Sequence, residues 1–302
     1  MTYRIVHRTE YRYRSAVSSS YGEAHLHPRE APGQRCYSAA LSIEPFPEDY
    51  RERRDFFGNR VANFNVREPH ECLVVTATSV VDVRGRHATG PLHPGRPWES
   101  VRDRLHADPG PEVIEARQFV LESPAVPASP EAAEYALGSF LTGRPVLEAL
   151  ADLTHRIHED FEYSPGATKV GTTVSEVFRD RAGVCQDFAH VALAGVRSLG
   201  LAGRYVSGYL ETMPPPGTPR LQGADMSHAW LSVFVPDVGW VDIDPTNDQF
   251  VTNSYITVAW GRDYNDVPPL KGVIFTEVDE HELKVTVDVM PVADDDPALV
   301  GA

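Results

Sequence analysis

Hydrophobic and polar residues alternate along the first 84 residues, as they do in half-buried β-strands. The stretch YRIVHRTEYRY, residues 3–13, places Tyr, Ile, His, Thr, Tyr and Tyr on one side of an extended chain. Residues 72–83, CLVVTATSVVDV, are rich in Val and Thr, which favour strands. Between them, Asp55–Val61 contains a Gly-Asn pair suited to a tight turn. The pattern predicts an N-terminal β-rich domain over residues 1–84.

Helical spacing of apolar residues replaces this alternation in the second half of the chain. Residues 84–97 contain Gly and Pro without periodicity, and we interpret residues 85–110 as a linker. Helices are predicted over Val113–Leu121, Pro130–Leu141 and, most clearly, Val146–Phe161, where apolar residues recur at steps of three and four.

Residues 111–302 are predicted to form a second domain of mixed structure. A helix that begins at Cys185 precedes a strand over residues 204–210, and the Pro-rich segment Thr212–Arg220 is predicted to be a loop beside a cleft. A strand, a turn and a strand follow. Helices placed before an antiparallel run of strands indicate an α+β fold rather than alternating βαβ units.

Composition excludes several classes of function. The formal net charge is −15, with 28 Lys and Arg against 43 Asp and Glu, which opposes binding to nucleic acid or an anionic membrane. The chain has neither the apolar core of a signal peptide nor a run of about 18 apolar residues, so we expect a cytoplasmic protein. Three scattered cysteines are too few for a disulfide framework, and free thiols are expected.

Cys185 stands at the start of its predicted helix. The unpaired N–H groups of a first helical turn and the helix dipole stabilise an anion, which favours a thiolate and an oxyanion beside it. Asp187, two residues further on, opposes a thiolate unless its carboxylate caps the backbone. A buried structural thiol fits the same position and, from position alone, is the commoner case.

A predicted hairpin supplies a histidine and a carboxylate. His228 begins a strand that runs to Val235, residues 236–239 form a turn, and the return strand ends at Asp244 before a proline. If Val235 faced residue 240 across a four-residue turn, Asp244 would lie on the opposite sheet face from His228. We therefore predict a bulge or an odd-length loop between them. Asp242 shares the strand face of Asp244, so spacing alone leaves either carboxylate as the partner of His228.

Three blocks of sequence resemble the transglutaminase-like superfamily, a branch of the papain-like cysteine-protease fold: GVCQDFAH, SHAW and GWVDIDPTN. With RYVSGYL between them, the resemblance covers about residues 147–255. The first half is similar to the N-terminal β domain of bacterial members through YRIVHRTEYRYR, LHPRE and DFFGNRV. The resemblance implies a transglutaminase core preceded by that domain. It also implies that Cys185 is the nucleophile, that His228 is the base and then the acid, and that Asp244 holds the tautomer of His228.

Further residues are candidates for supporting roles or for the wall of a cleft. They are Gln186, Asp187, Tyr163, Tyr205 and Trp230. The sequence does not decide which of the aromatic residues belong to the core and which line a cleft. Asp187 is more typical of a residue that stabilises a helix start. His190, five residues after Cys185, falls off the cysteine's helix face and is not expected to be the base.

These observations predict a cysteine-dependent acyl-transfer enzyme that acts on peptide, isopeptide or glutamine amide bonds through a thioester. The resemblance favours hydrolysis over cross-linking, no cofactor is expected, and the substrate is a peptide or protein. One alternative is a protein-glutamine gamma-glutamyltransferase. Another is a non-catalytic peptide- or protein-binding module on the same fold, with a protein partner on the N-terminal β domain.

Metal binding is the weakest candidate function. His155 and His158 lie three residues apart on a helix, but the HExxH order of zinc peptidases is absent. His25, His27 and Cys36 together lack a fourth ligand. We therefore expect no metal site.

Overall fold

The computed structural model describes residues 1–85, 95–169, 171–212, 227–276 and 281–292 of the chain. The strands of this part are β1 (Thr2–Val17), β2 (Ser19–Ala24), β3 (Gln34–Glu44), β4 (Asp49–Arg54), β5 (Arg60–Val66), β6 (His70–Val83), β7 (Glu162–Tyr163), β8 (Ala182–Gly183), β9 (Gly203–Leu210), β10 (Ser227–Val235), β11 (Gly239–Asp244), β12 (Gln249–Phe250), β13 (Tyr255–Gly261), β14 (Leu270–Phe275) and β15 (His281–Val292). The α-helices are α1 (Trp98–Ala107), α2 (Pro111–Arg117), α3 (Pro130–Leu137), α4 (Val146–Asp160), α5 (Val174–Asp180) and α6 (Cys185–Ser198).

The N-terminal residues supply three strands to each of two antiparallel four-stranded sheets. One sheet has the order β15-β1-β6-β3 and the other β14-β2-β5-β4. The alternation seen in the sequence places Tyr3 and Ile5 of β1 in the protein core. A cluster of apolar side chains that includes Leu26, Phe64 and Val75 forms a separate small core of this region. The predicted β-rich N-terminal region is confirmed.

The last two described strands return to these N-terminal sheets. β15 pairs with β1 along residues 281–292, and β14 pairs with β2. The sequence pattern predicts that all of residues 111–302 belong to the second domain. Nothing in the local pattern of β14 or β15 identifies a partner that lies more than 240 residues away in the chain.

A helix occupies part of the segment that the sequence analysis interpreted as a linker. Helix α1 buries Trp98, Val101 and Leu105, which recur at steps of three and four along one helix face. Residues 86–94 of that segment, and residues 213–220 of the predicted loop Thr212–Arg220, lie outside the described residues.

The second half combines helices with a five-stranded antiparallel sheet of order β12-β11-β10-β9-β13. Helix α6 packs against β9 and β10 and is buried from Asp187 to Arg197. The three predicted helices are present, although helix α2 continues only as a short 3-10 turn and α3 ends before Gly138. The predicted α+β fold is confirmed. None of the helices in the described ranges has the length and apolar composition needed to cross a membrane.

Two side-chain amides attach the N-terminal region to the edge strand β13. Asn59 donates to the carbonyl of Trp260 at 2.8 Å and accepts from its N–H at 3.0 Å. Gln34 bonds in the same two-way manner with Thr257, at 2.7 and 2.8 Å. Asn59 follows Gly58 (φ +76°) in the predicted tight turn, which is confirmed. The turn therefore positions the Asn59 side chain so that it pairs with the free edge of the five-stranded sheet.

Candidate active site

The hairpin of β10 and β11 has a three-residue turn. Val235 pairs with Gly239, and the pairing continues without a shift as far as Leu231 with Ile243. Residues paired across antiparallel strands project from the same face, and faces alternate along each strand. His228 and Asp244 therefore share one face. The predicted odd-length loop is confirmed.

The imidazole of His228 contacts the Asp244 carboxylate directly. Its Nε2 atom lies 2.7 Å from Oδ2 of Asp244, and the Asp244 side chain is fully buried. The Cys185 side chain lies close enough to the His228 ring to interact with it and to raise its pKa. Because Nε2 is directed at Asp244, Nδ1 is the ring nitrogen left for the thiol. Asp242 pairs with Ser232 further along the hairpin, so Asp244 is the carboxylate that reaches the histidine.

Two further side chains and one backbone amide surround Asp244. Its Oδ2 atom accepts hydrogen bonds from the Tyr255 hydroxyl and the Asn247 amide, both at 2.7 Å. Its Oδ1 atom accepts from the N–H of Thr246 at 2.9 Å. The sequence analysis missed Tyr255 and Asn247. The TND sequence after Pro245 was the available signal, since Asp and Asn side chains bond to nearby backbone in turns.

The electrostatics of this pair favour a charged histidine and a charged aspartate. Burial lowers the pKa of His228, but its hydrogen bond with Asp244 and its interaction with Cys185 outweigh this effect and raise the pKa to about 10. Burial likewise raises the pKa of Asp244, and the bonds from His228, Asn247 and Tyr255 hold it below its ordinary value. The imidazolium is therefore the stable form of His228 at neutral pH.

Cys185 is the first residue of α6 and is half-buried, with its side chain packed against the main core. Its backbone N–H and that of Gln186 have no hydrogen-bond partner in the described part of the chain, as expected for the first turn of a helix. Asp187 turns back to accept from the N–H of Val184 at 2.9 Å and from the Thr168 hydroxyl at 2.7 Å. Its carboxylate caps the backbone, as the sequence analysis considered.

The aromatic candidates divide between the core and the cleft. Trp230 is fully buried, with its ring 6.1 Å from that of His228 and 5.3 Å from that of Tyr255. Tyr205 is buried against His190. Tyr163 is 46% exposed and close enough to Cys185 to interact with it electrostatically. Of the three aromatic candidates, Tyr163 is therefore the one on the open side of the site.

Gln186 and His190 line a small cavity beside the site. Together with Tyr264 and Asn265, they border a cavity of about 130 Å³. His190 accepts a hydrogen bond at Nε2 from the N–H of Tyr264, and burial lowers its pKa to about 4. His190 is therefore neutral at physiological pH and is engaged with the backbone.

Three of the four histidines considered as metal ligands form other hydrogen bonds, and Nδ1 of the fourth, His27, lies 3.7 Å from a carboxylate oxygen of Glu52. His155 binds the carboxylate of Asp248 at 2.8 Å, and His158 binds a backbone carbonyl at 2.9 Å. His25 also contacts a backbone carbonyl, and the Cys36 thiol donates to the carbonyl of Ser38. Within the described ranges, no group of three or more His, Cys, Asp or Glu side chains is arranged to hold a metal ion.

Comparison with known proteins matches both halves of the chain. Residues 3–82 match the bacterial transglutaminase-like N-terminal region, and residues 137–245 match the transglutaminase-like superfamily. An uncharacterised protein of Mycobacterium tuberculosis is 46% identical over 297 residues, which is 96% of this chain and 92% of that protein. A protein-glutamine gamma-glutamyltransferase of Pseudomonas aeruginosa is 33% identical over 92 residues, which is 30% of this chain and 14% of that protein.

A solved structure shares the fold over nearly the whole chain. It is that of a proposed cysteine protease from Cytophaga hutchinsonii, with a TM-score of 0.72 and 20% sequence identity. The match covers 97% of this chain and 92% of the other. The arrangement of the N-terminal sheets and the mixed second half is therefore common to both proteins.

Proposed function

Because the chain belongs to the transglutaminase-like superfamily, we propose that it is a cysteine-dependent acyl-transfer enzyme. Its substrates are peptide, isopeptide or glutamine amide bonds in a peptide or protein, and water is favoured over an amine as the acceptor. One observation carries the proposal: His228 is hydrogen-bonded to Asp244 and lies close enough to Cys185 to interact with it. A nucleophile, a base and a group that orients the base are thereby in contact. The cytoplasmic location stays a prediction.

In the first half-reaction, the Cys185 thiolate attacks the amide carbon and forms a C–S bond. The tetrahedral intermediate then collapses, the C–N bond breaks, and the His228 imidazolium gives its proton to the departing amine. The products are a thioester on Cys185 and a neutral imidazole. Asp244 keeps the ring in place and stabilises its charged form throughout.

In the second half-reaction, neutral His228 takes a proton from a water molecule as the water attacks the thioester carbon. The C–S bond breaks, a carboxylic acid leaves, and the thiolate–imidazolium pair is restored. If a primary amine attacks instead of water, the same proton transfers produce a new amide bond. Hydrolysis and cross-linking thus differ only in the acceptor that reaches the thioester.

The start of α6 provides donors for the negative oxygen of each tetrahedral intermediate. The N–H groups of Cys185 and Gln186 lack partners in the described part of the chain, and they lie at the positive end of the helix dipole. Donors fixed in advance at such a position are typically among the largest contributors to acyl-transfer catalysis. We assign the oxyanion site to these two amides.

A glutamine-donor peptide, supplied with and without a primary amine, tests the proposal. The wild-type protein should release ammonia, Cys185→Ser should release none, and Cys36→Ser should behave as wild type because Cys36 lies outside the site. Ammonia release that persists in Cys185→Ser would contradict the assignment of the nucleophile. For peptide and isopeptide bonds, the corresponding readout is a new amino terminus or a free lysine amine.

Protein-glutamine gamma-glutamyltransferase activity is the second candidate. It is supported by the 33% identity over 92 residues with the Pseudomonas aeruginosa enzyme of that name. In the same assay, incorporation of the amine faster than ammonia release would favour this activity over hydrolysis.

A further inference from the structure

Strand β3 is an edge strand whose central residues carry no charge. It pairs with β6 on one side, and no strand of the described ranges pairs with it on the other. No charged residue occurs between Cys36 and Ile43, and Ser38, Ala40 and Ser42 are exposed. Glu30 accepts a hydrogen bond from the N–H of Cys36, so the open edge begins at residue 37. Unpaired edges of this kind are templates for another strand.

The other edge strands of the two N-terminal sheets carry charges. Five of the six residues of β4, DYRERR, are charged. β15 contains Glu282, Lys284 and Asp288, and β14 contains Lys271. Charged side chains, lysine above all, are a common means of preventing edge-to-edge association. The eight uncharged residues from Cys36 to Ile43 of β3 are therefore a longer uncharged run than any in these three strands.

A bulge in β3 places its two flanking charges on the same face. Arg35 pairs with Asp82 and Glu44 pairs with Val74, with a register shift between Cys36 and Ser38. Asp82 and Val74 are eight residues apart on β6, so they project from the same face, and their partners do too. In a regular strand, Arg35 and Glu44 would lie on opposite faces because they are nine residues apart.

These charges match when the strand is paired with a copy of itself. A two-fold axis perpendicular to the sheet at Ala40 sets Ala40 opposite Ala40 of the second copy and Ser38 opposite Ser42. The bulge adds one residue, Tyr37, that has no partner on β6. Arg35 therefore falls opposite Glu44 of the other copy at both ends of the paired strands. Arg35 and Glu44 are both exposed, and neither forms an ion pair with another described residue; the Arg35 guanidinium lies 5.3 Å from the ring centre of Tyr37. Opposite charges directly across antiparallel strands are stabilising.

We propose that two copies of this chain associate by antiparallel pairing of β3 with β3, centred on Ala40, with Arg35 of each copy against Glu44 of the other. The β15-β1-β6-β3 sheets of the two copies then form one continuous eight-stranded sheet. Pairing of identical surfaces about a two-fold axis closes the assembly at a dimer and removes the open edge. The proposal is independent of the proposed catalytic function, whose residues lie in helix α6 and in the five-stranded sheet.

Charge reversal tests both the interface and its register. The dissociation constant of the wild-type dimer is measured by sedimentation equilibrium. Arg35→Glu and Glu44→Arg should each raise it about tenfold or more, because each replaces two attractive pairs by two repulsive ones. The double variant should restore it to within about threefold. Arg51→Glu, the matched reversal on β4, should leave it unchanged. A monomer at all concentrations, or a dimer that neither single reversal weakens, would overturn the proposal.

Engineered cysteines provide a second readout. Directly opposed residues in an antiparallel pair have Cα atoms about 4.5–5.5 Å apart, within the range of a disulfide. Ala40→Cys should therefore give a disulfide-linked dimer on mild oxidation, well above the level of the wild-type chain. Ser42→Cys should not, because the two copies of residue 42 are about 13 Å apart along the strands. Equal cross-linking of the two variants would contradict the register.

Discussion

The Nε2 atom of His228 lies 2.7 Å from Oδ2 of Asp244, although the two residues are 16 positions apart in the chain. The contact depends on an odd number of residues in the turn between β10 and β11. A three-residue turn pairs Val235 with Gly239, and regular pairing from that point keeps both side chains on one sheet face. A turn that paired Val235 with Trp240 instead would have placed the side chains of His228 and Asp244 on opposite faces of the sheet.

The charge of His228 is the first prediction. In NMR titrations of histidine-labelled protein, His228 should stay protonated through neutral pH and titrate near a pKa of about 10, whereas His7 and His190, whose pKa values burial lowers to about 4, should be neutral at pH 6. Asp244→Asn should bring the His228 pKa down, because the largest favourable interaction of the imidazolium is lost. A His228 pKa at or below the ordinary 6.5 would contradict the assigned electrostatics.

The raised pKa of His228 makes the stability of the folded protein depend on pH. The pKa of His228 in the folded protein exceeds the ordinary value of 6.5, so protonated His228 contributes its full stability below pH 6.5. The contribution is lost as the pH rises towards 10. The free energy of unfolding of the wild type should therefore fall between pH 6.5 and 10 more steeply than that of His228→Gln. Equal slopes for the two proteins would argue against the shift.

Removal of the Tyr255 hydroxyl should weaken the support of Asp244. Tyr255→Phe deprives the carboxylate of one donor and the Gln249 amide of its acceptor. A hydrogen bond to a charged group typically contributes about 1.5–3 kcal/mol, and we expect unfolding free energy to fall by about that amount. Tyr264→Phe is the matched control, because that hydroxyl has no hydrogen-bond partner in the described part of the chain. Similar losses in both variants would show that the Asp244 contact is not responsible.

The attachment of the N-terminal region to β13 can be tested at Asn59. This side chain is fully buried, and Asn59→Ala leaves the N–H and carbonyl of Trp260 without partners. Each buried polar group left unpaired costs about 1–3 kcal/mol, so chemical denaturation should show a loss of about 2–6 kcal/mol for the two groups. Asn63→Ala, which removes a more exposed amide bound to Glu23 and Arg53, should cost about 1 kcal/mol. A loss at Asn59 no larger than at Asn63 would contradict the role of this amide.

Much of the fold and of the candidate site can be predicted from local sequence. The alternation in β1, the apolar stripe of α6 and the glycine-containing turn before Asn59 each appear in short windows, because they depend on residues close in the chain. The need for an odd-length hairpin turn follows from the same kind of reasoning. It requires only the two-residue period of a strand.

Other features depend on contacts that the sequence does not display. Tyr255 reaches Asp244 from β13, which is not adjacent to β11 in the sheet, so strand periodicity gives no indication of it. The pairing of β14 and β15 with N-terminal strands is equally non-local. Helix α1 was detectable from the spacing of Trp98, Val101 and Leu105, but the Gly and Pro residues before it led to its interpretation as a linker.

Competitive alkylation of the cysteines at pH 7 tests the central claim most directly, because it needs no knowledge of the substrate. Iodoacetamide labelling, resolved by peptide mass spectrometry, should modify Cys185 about tenfold or more faster than Cys36, whose pKa burial raises. In His228→Ala the Cys185 rate should fall to that of an ordinary thiol. A Cys185 that reacts no faster than Cys36, and whose rate is unchanged in His228→Ala, would contradict the account.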